Sequence, residues 1–234
     1  MAFRTILGAM LMALPGVAHA DMTASYGMAS GTIPFMTLEI ASHGDIRGTM
    51  MNGNVTFIVH NGHGFTIVKT PQGLAVSRIE DVATAMGERL AKMDPDLRSK
   101  IGQHAGEISL ALNGTRTIDG RTGDAYFMKL PDGTLSGEPW AVISHDPKLA
   151  PLGKAMADQF AMSMKVMGSM MPTLAFEPML EVLHKGTPIM MTGMQLLSVS
   201  DALIAPSEFE LPAPPLTLDQ VRQRIASGGI KTGG

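Results

Sequence analysis

Residues 47–73 read RGTMMNGNVTFIVHNGHGFTIVKTPQG, a series of short strands separated by hairpin turns. Short apolar runs such as Val55–His60 alternate here with Asn-Gly pairs at 52–53 and 61–62. Asn-Gly favours a tight turn with positive φ at both central residues, and such turns join neighbouring antiparallel strands. The same pattern continues on both sides, so residues 23–77 are predicted to form an antiparallel meander of short strands.

The spacing of apolar residues changes after this meander. From Ile79 to Met93 they recur at steps of three and four, which predicts an amphipathic helix. Ser77 and Glu80 have the spacing of a capping box at its start. Asp94, as an N-cap followed by a proline, predicts that a further short helix begins there.

The second half of the chain again places strands before helices. Strands are predicted between Glu107 and Ile143, with turns at the Asn-Gly pair 113–114 and the Asp-Gly pair 119–120. Asp146 followed by a proline predicts the start of a long helix that ends near Met171. The remaining predicted elements are a short helix at Pro178–His184, a strand at Pro188–Val199 interrupted by Gly193, an extended proline-rich segment at 205–215, and a helix from Thr217 to Ile225 with a capping box to Gln220.

Hairpin-joined strands followed by helices predict an α+β protein whose helices cover one face of an antiparallel sheet. The second half also resembles a family of uncharacterised bacterial periplasmic proteins, through Trp140, Pro147, the Gly-Thr-Pro at 186–188 and the Ser-Glu-Phe-Glu-Leu-Pro at 207–212. That family is similar to the periplasmic lipoprotein carriers. The resemblance implies an antiparallel unclosed β-barrel, a half-barrel with helices across its concave face and an apolar cavity.

The N-terminus carries the signals of secretion. Arg4 precedes a short apolar run at Ile6–Leu14, and Ala18-His19-Ala20 has the small-x-small pattern of a cleavage site. Residues 1–20 are therefore predicted to be a signal peptide, and the mature periplasmic protein begins at Asp21. We expect a single half-barrel domain over 21–226, a flexible tail over 227–234 and no transmembrane segment, because no later apolar run is long enough to span a bilayer.

Composition narrows the possible functions. The chain has 234 residues, of which 45% are hydrophobic and 17% charged, and this excludes disorder for its bulk. A formal net charge of −3 provides no basic field, so no nucleic-acid partner is expected. The absence of cysteine excludes disulfides, thiolate metal sites and cysteine nucleophiles.

Methionine is the most unusual feature of the composition, with 21 residues against 11 aromatic ones. Methionine is unbranched and polarizable, and it is over-used on surfaces that accept varied apolar shapes. In the long helix, five residues fall on one arc at steps of four and three, as they also would in an ordinary core helix. The predicted ligand-binding residues are Met156, Phe160, Met164, Met167 and Met171.

Two metal sites are weaker alternatives. Thioethers suit Cu(I), and Met164, Met167 and Met171 share a helix face, while Met190, Met191 and Met194 form a second cluster. His43, His60 and His63 surround the Asn-Gly turn at 61–62 and would suit zinc if they met. Exposed turn histidines are the simpler interpretation, so neither a metal nor a cofactor is predicted.

Catalysis finds little support in the sequence. There is no Gly-x-Ser-x-Gly elbow and no phosphate-binding loop. Ser144, His145 and Asp146 are consecutive, whereas a catalytic triad needs groups that converge from separate places. The sequence therefore predicts a non-catalytic protein that binds an acyl chain, a lipid or a lipidated partner. The alternatives are a Met-based copper-binding protein and an interaction module without a small ligand.

Overall fold

The computed structural model of the protein describes residues 21–29, 31–71, 73–93, 108–170 and 176–227. Four predictions lie outside the described residues. They are the signal peptide at 1–20, the short helix predicted to begin at Asp94, the site residue Met171, and the tail beyond Ser227.

Eleven antiparallel strands form one sheet that does not close on itself. Along the sheet their order is β6-β5-β4-β3-β2-β1-β11-β10-β9-β8-β7. The strands are β1 Met22–Met28, β2 Pro34–Ile40, β3 Ile46–Met50, β4 Val55–His60, β5 His63–Thr70, β6 Gly73–Arg78, β7 Leu110–Ile118, β8 Arg121–Met128, β9 Ala141–Ser144, β10 Thr187–Met191 and β11 Met194–Ser200.

Four α-helices accompany the sheet within the described part of the chain, so the fold is α+β as predicted. Single 3₁₀ turns lie at Met51–Gly53, Pro147–Leu149 and Pro206–Phe209. The α-helices are α1 Ile79–Ala91, α2 Ala150–Met170, α3 Glu177–Leu183 and α4 Leu218–Ala226.

The turn chemistry that predicted the meander is present in the structure. Asn52 and Gly53 have φ of 54° and 80°, and Asn61 and Gly62 have φ of 51° and 76°. The strands between these turns pair in antiparallel register from β2 to β6. The Asn-Gly pairs therefore set the positions of the first hairpins, as the sequence indicated.

Three local predictions are wrong. Met191 pairs with Met194, so the predicted single strand at Pro188–Val199 is a hairpin that turns at Thr192 and Gly193. The Asn-Gly pair at 113–114 does not end a strand, because it forms an irregularity inside β7. Helix α1 has Arg78 as its N-cap residue, without a side-chain cap, since Ser77 is buried within β6.

Pairing of β1 with β11 joins the two halves of the chain in the middle of the sheet. The hydroxyl of Tyr26 on β1 donates a buried hydrogen bond of 2.8 Å to the carbonyl of Pro188 on β10. Burial raises the pKa of Tyr26 well above its ordinary value, so its hydroxyl keeps the proton that makes this bond. The halves are thus fastened by a strand pair and a side-chain link.

Helix α2 packs on the middle of the sheet and contacts β1, β2 and β10. Leu152 and Met156 are almost completely buried in the largest apolar cluster, beside Tyr26 and Leu38 from the sheet. Further along the helix, the sulfur of Met162 lies so close to Gly64 on β5 that a Cβ there would be only 2.6 Å away. The helix therefore follows one face of the sheet across several strands.

Residues 201–217 form a C-terminal strap that leads from β11 to α4. The strap packs Leu211 and Ala213 against an apolar cluster of Ile58, Phe65, Ile67 and Val76. The Leu216 amide then donates to the Val76 carbonyl on β6, and α4 packs on α1. The predicted capping box of Thr217 and Gln220 is confirmed at the start of α4.

Candidate functional site

Helix α2 positions four of the five predicted ligand-binding residues, and the two in its first half, Met156 and Phe160, lie in different apolar clusters. Met156 is 2% exposed and lies in the main core cluster. Phe160 packs edge to face on Trp140 at 6.5 Å and belongs to a second cluster with residues of α3. Met164 and Met167 are half-buried near the C-terminal end of the helix.

One described surface suited to an apolar ligand is a groove along the first half of α2. We call it the α2 groove; it encloses about 420 Å³ between the helix and the turn that joins β2 to β3. This volume lies within the range of about 300–1,000 Å³ that is common for ligand pockets. Its lining residues are Ile40, Ala41, Ser42, Gly44, Ile46, Ala150, Pro151, Lys154, Ala155 and Asp158.

The floor of the α2 groove is continuous with the protein core. Ile40, Ile46 and Ala155 line the groove and are also buried members of the main apolar cluster, which contains Met156. The side chain of Met156 has flexible torsions, so the core behind the groove can adjust its shape at low cost. A ligand in the groove would therefore meet an apolar surface with some adaptability.

Two charged side chains stand among the lining residues. Lys154 and Asp158 are one helical turn apart, and the Lys154 Nζ lies 2.5 Å from an Asp158 carboxylate oxygen. The Lys154 side chain is 79% exposed and that of Asp158 is 38% exposed. An ion pair as exposed as this contributes about 0–1 kcal/mol to stability, so it opens readily.

The opposite wall of the groove, the turn between β2 and β3, is fastened by two aspartates. Asp21 accepts hydrogen bonds from the amides of Ser42 at 2.8 Å and Ile204 at 2.9 Å. These amide bonds, led by that of Ile204, hold the pKa of Asp21 below its ordinary range. The turn is thus tied to the start of β1 and to the C-terminal strap.

Asp45 fastens the same turn to β4. One oxygen of its carboxylate lies 2.6 Å from His60 Nδ1 and 3.2 Å from His43 Nε2, while the other accepts from the Asn61 amide. Burial alone would raise the pKa of Asp45, but the hydrogen bonds from His60 and Asn61 outweigh it and lower the pKa. The side-chain amide of Asn61 faces His60 Nε2 at 2.8 Å, so that amide caps the other ring nitrogen.

The histidines of the zinc alternative are only partly brought together. His43 and His60 meet on Asp45, and His63 pairs with His60 across the hairpin. Within the described ranges, no group of three or more His, Cys, Asp or Glu side chains is arranged to hold a metal ion. The contacts of Asp45 instead give these histidines a role in fastening the turn.

Ser144, His145 and Asp146 do not converge on one another as a triad would. His145 Nε2 faces Asp124 at 3.0 Å and its Nδ1 faces the Lys185 carbonyl at 3.1 Å. The hydroxyl of Ser144 accepts from the amide of Asp146, and the carboxylate of Asp146 caps the following 3₁₀ turn through the Lys148 amide. These contacts give the three residues a structural role, at the end of β9 and the start of the following 3₁₀ turn.

Two further cavities are more polar than the α2 groove. One, of about 340 Å³, lies between the C-terminal strap and β3 to β6, and Arg47 and Lys69 stand on its sheet side. The other, of about 440 Å³, surrounds His145 at the ends of β8 and β9. Neither has the run of apolar lining residues that an acyl chain needs.

Comparisons with known proteins found no matching protein-family model, no matching curated protein and no matching solved structure. In the part of the chain that the structure describes, no helix has the length and apolar character required to span a membrane.

Sequence reasoning missed most of the groove because its walls come from distant segments. Ala155 stands beside Met156 in the sequence, but its small side chain gives no signal of a cavity. Ile40 and Ile46 frame a turn that sequence alone does not place against the helix. The available signal was the pair of small residues at 150 and 155 with a lysine beside them, on a helix rich in apolar residues.

Proposed function

We propose that this protein is a non-catalytic periplasmic protein that binds an apolar ligand in the α2 groove. The observation that carries the proposal is the groove of about 420 Å³ whose floor is formed by Ile40, Ile46 and Ala155. Apolar side chains at the floor with a few polar groups at the edge are the usual composition of a small-molecule site.

The proposal includes a shape for the sheet. An unclosed sheet of eleven strands twists strongly, so we expect it to curve around α2 as a half-barrel with the helices across its concave face. The contacts of α2 with β1, β2 and β10, together with the approach of Met162 to Gly64 on β5, support this arrangement. A ligand would enter between the helix and the wall of the barrel.

Methionine gives this site its tolerance of different ligands. Met156 lies in the cluster that forms the groove floor, and the half-buried Met164 and Met167 extend the apolar surface along α2. Because methionine side chains repack easily, one groove can accept acyl chains of different shape. The predicted role of Met164, Met167 and Met171 as ligand contacts is part of this proposal.

The expected affinity is moderate. Burial of a chain of about twelve carbons gains on the order of 10 kcal/mol gross, at about 0.8 kcal/mol per methylene. Association and ordering costs offset at least about 4 kcal/mol of this gain. The remainder, about 6 kcal/mol, corresponds to a dissociation constant of tens of micromolar.

Displacement of a fluorescent hydrophobic probe by dodecanoate tests the proposal. Wild type should bind the probe saturably and release it to dodecanoate. Ala150→Trp and Ser42→Trp, which add a large side chain to exposed positions on the two walls of the groove, should each weaken binding at least about tenfold. Circular dichroism confirms that both variants are folded.

Leu112→Trp is the matched control, because Leu112 is 57% exposed on β7 and is not among the groove residues. It should bind the probe as wild type does. Wild type without saturable binding would reject the proposal and favour an interaction module. Folded groove variants that bind as well as wild type would place the ligand elsewhere, and Met164→Asp with Met167→Asp would then test the far end of α2.

A further inference from the structure

We propose that the ligand of the α2 groove is a single-chain amphiphile with an anionic head group, and that Lys154 binds this head. The inference rests on the proposed function and adds the class of ligand. Its starting point is the position of one exposed lysine at the rim of an apolar groove.

Lys154 has the reach and the freedom to bind a head group. Its side chain lines the groove and is 79% exposed, so the methylene stem can lie on apolar surface while the ammonium stays in water. Its partner Asp158 holds it only through an exposed ion pair, which contributes little. A ligand carboxylate can therefore take over the ammonium at small cost, and Asp158 remains accessible to water.

The two aspartates behind the groove wall are each held by several hydrogen bonds. Asp45 is engaged by His60 and His43, and Asp21 accepts from two backbone amides. The first turn of α2, which contributes Ala150 and Pro151 to the lining, contains no acidic residue. Of the charged side chains that line the groove, Lys154 and Asp158 are held only by each other, and Lys154 is the more exposed of the two.

The size of the groove favours a ligand with a single alkyl chain. Its volume of about 420 Å³ lies near the lower end of the range of about 300–1,000 Å³ for ligand pockets. Its floor is formed by Ile40 and Ile46, at the two ends of one turn, and by Ala155 of α2. A fatty-acid-like molecule fits this geometry, whereas a two-chain phospholipid requires a wider cavity.

The test compares three ligands whose alkyl chains have eleven or twelve carbons and whose head groups differ in charge. They are dodecanoate, dodecyl maltoside and dodecyltrimethylammonium, each titrated below its micelle concentration against wild type and variants. Lys154→Gln should weaken binding of dodecanoate about tenfold and leave dodecyl maltoside unchanged within about twofold. Asp158→Asn should strengthen dodecanoate binding a few-fold, because it removes the competing carboxylate.

Lys165→Gln is the matched control, since Lys165 is an exposed lysine three turns further along α2 and is not among the groove residues. It should bind all three ligands as wild type does. If no ligand binds to wild type, the proposed function itself fails. If all three bind but Lys154→Gln weakens them equally or not at all, the groove stands and the anionic head group is rejected. The same holds if wild type prefers the cationic ligand.

Discussion

Gly48 is a position where one residue sets the packing of two strands. The ring of Phe57 on β4 lies directly over Gly48 on β3, and a Cβ at Gly48 would be 1.8 Å from a ring carbon. Glycine is needed here for space, because its φ is not in the left-handed region. An aromatic ring across from a glycine fixes the register of the pair without crowding the backbone.

Gly48→Ala should therefore lower the free energy of unfolding by about 1–3 kcal/mol, since Phe57 must leave its place in the core. Urea denaturation measures the change. Gly137→Ala is the control, because a Cβ at Gly137 meets nothing within 4 Å, and it should change stability by less than about 0.5 kcal/mol. The double variant with Phe57→Leu should recover part of the loss; additive effects of the two changes would contradict the clash.

Asp45 makes stability depend on pH at the acidic end. Hydrogen bonds hold its folded pKa below the unfolded value of about 3.9, so its contribution is complete above that value and is lost as the pH falls through the folded pKa. Asp45→Asn should cost about 1–3 kcal/mol near pH 7, because a charged hydrogen-bond acceptor is removed from a buried site.

The variant should also lose less stability than wild type as the pH falls below about 4, although Asp21 retains a dependence of the same sign. Urea unfolding at a series of pH values gives both curves. Parallel curves for wild type and variant would show that Asp45 does not titrate as its contacts indicate.

At the scale of elements, Phe209 anchors the C-terminal strap. The sequence predicted an extended segment over 205–215, but Phe209 ends a 3₁₀ turn at Pro206–Phe209. Phe209 is only 2% exposed, and its ring lies edge to face with His43 at 6.2 Å. The strap thereby reaches the same β2–β3 turn that forms a wall of the groove.

Phe209→Ala should lower the free energy of unfolding by about 3–5 kcal/mol, because it removes a fully buried aromatic side chain. Chemical denaturation measures this loss. Leu203→Ala in the same strap removes a side chain that is 92% exposed, so it should leave stability within about 0.5 kcal/mol of wild type. A similar small effect for both variants would show that the strap is not fastened at Phe209.

The elements that the sequence predicted well are those with local causes. Positive φ at Asn52 and Asn61 follows from the residue type, and the apolar spacing after Ile79 produces α1. The hairpin at Thr192-Gly193 was missed because threonine is rare at positive φ, and its turn is dictated by the pairing of β10 with β11. The groove was also missed, because its walls come from distant segments that meet only through tertiary packing.

The sheet of the whole molecule is continuous, although its order is assembled from two separate meanders. Strands β2 to β6 extend to one side of β1, and β7 to β10 lie beyond β11 on the other. The β1–β11 pair and the Tyr26–Pro188 hydrogen bond therefore join the two halves of the sheet. Helix α2 adds to it by contacting strands on both sides of that junction.

This arrangement predicts that the protein unfolds as one unit, in agreement with the single domain expected over 21–226. Trp140 is the only tryptophan and lies in the cluster with Tyr126 and Ile143, so its fluorescence reports on the β7–β10 side. Far-UV circular dichroism reports on the whole sheet. In urea, the two signals of wild type should give the same midpoint, as a two-state transition requires.

Gly48→Ala makes this test sharper, because it perturbs β3, on the far side of the junction from Trp140. If the halves unfold together, the substitution should shift the Trp140 fluorescence midpoint as far as the circular dichroism midpoint, with unchanged steepness. A fluorescence midpoint that stays at the wild-type value, while circular dichroism shows an earlier first phase, would mean that the halves are separate cooperative units. The β1–β11 pair would then be an interface between two domains.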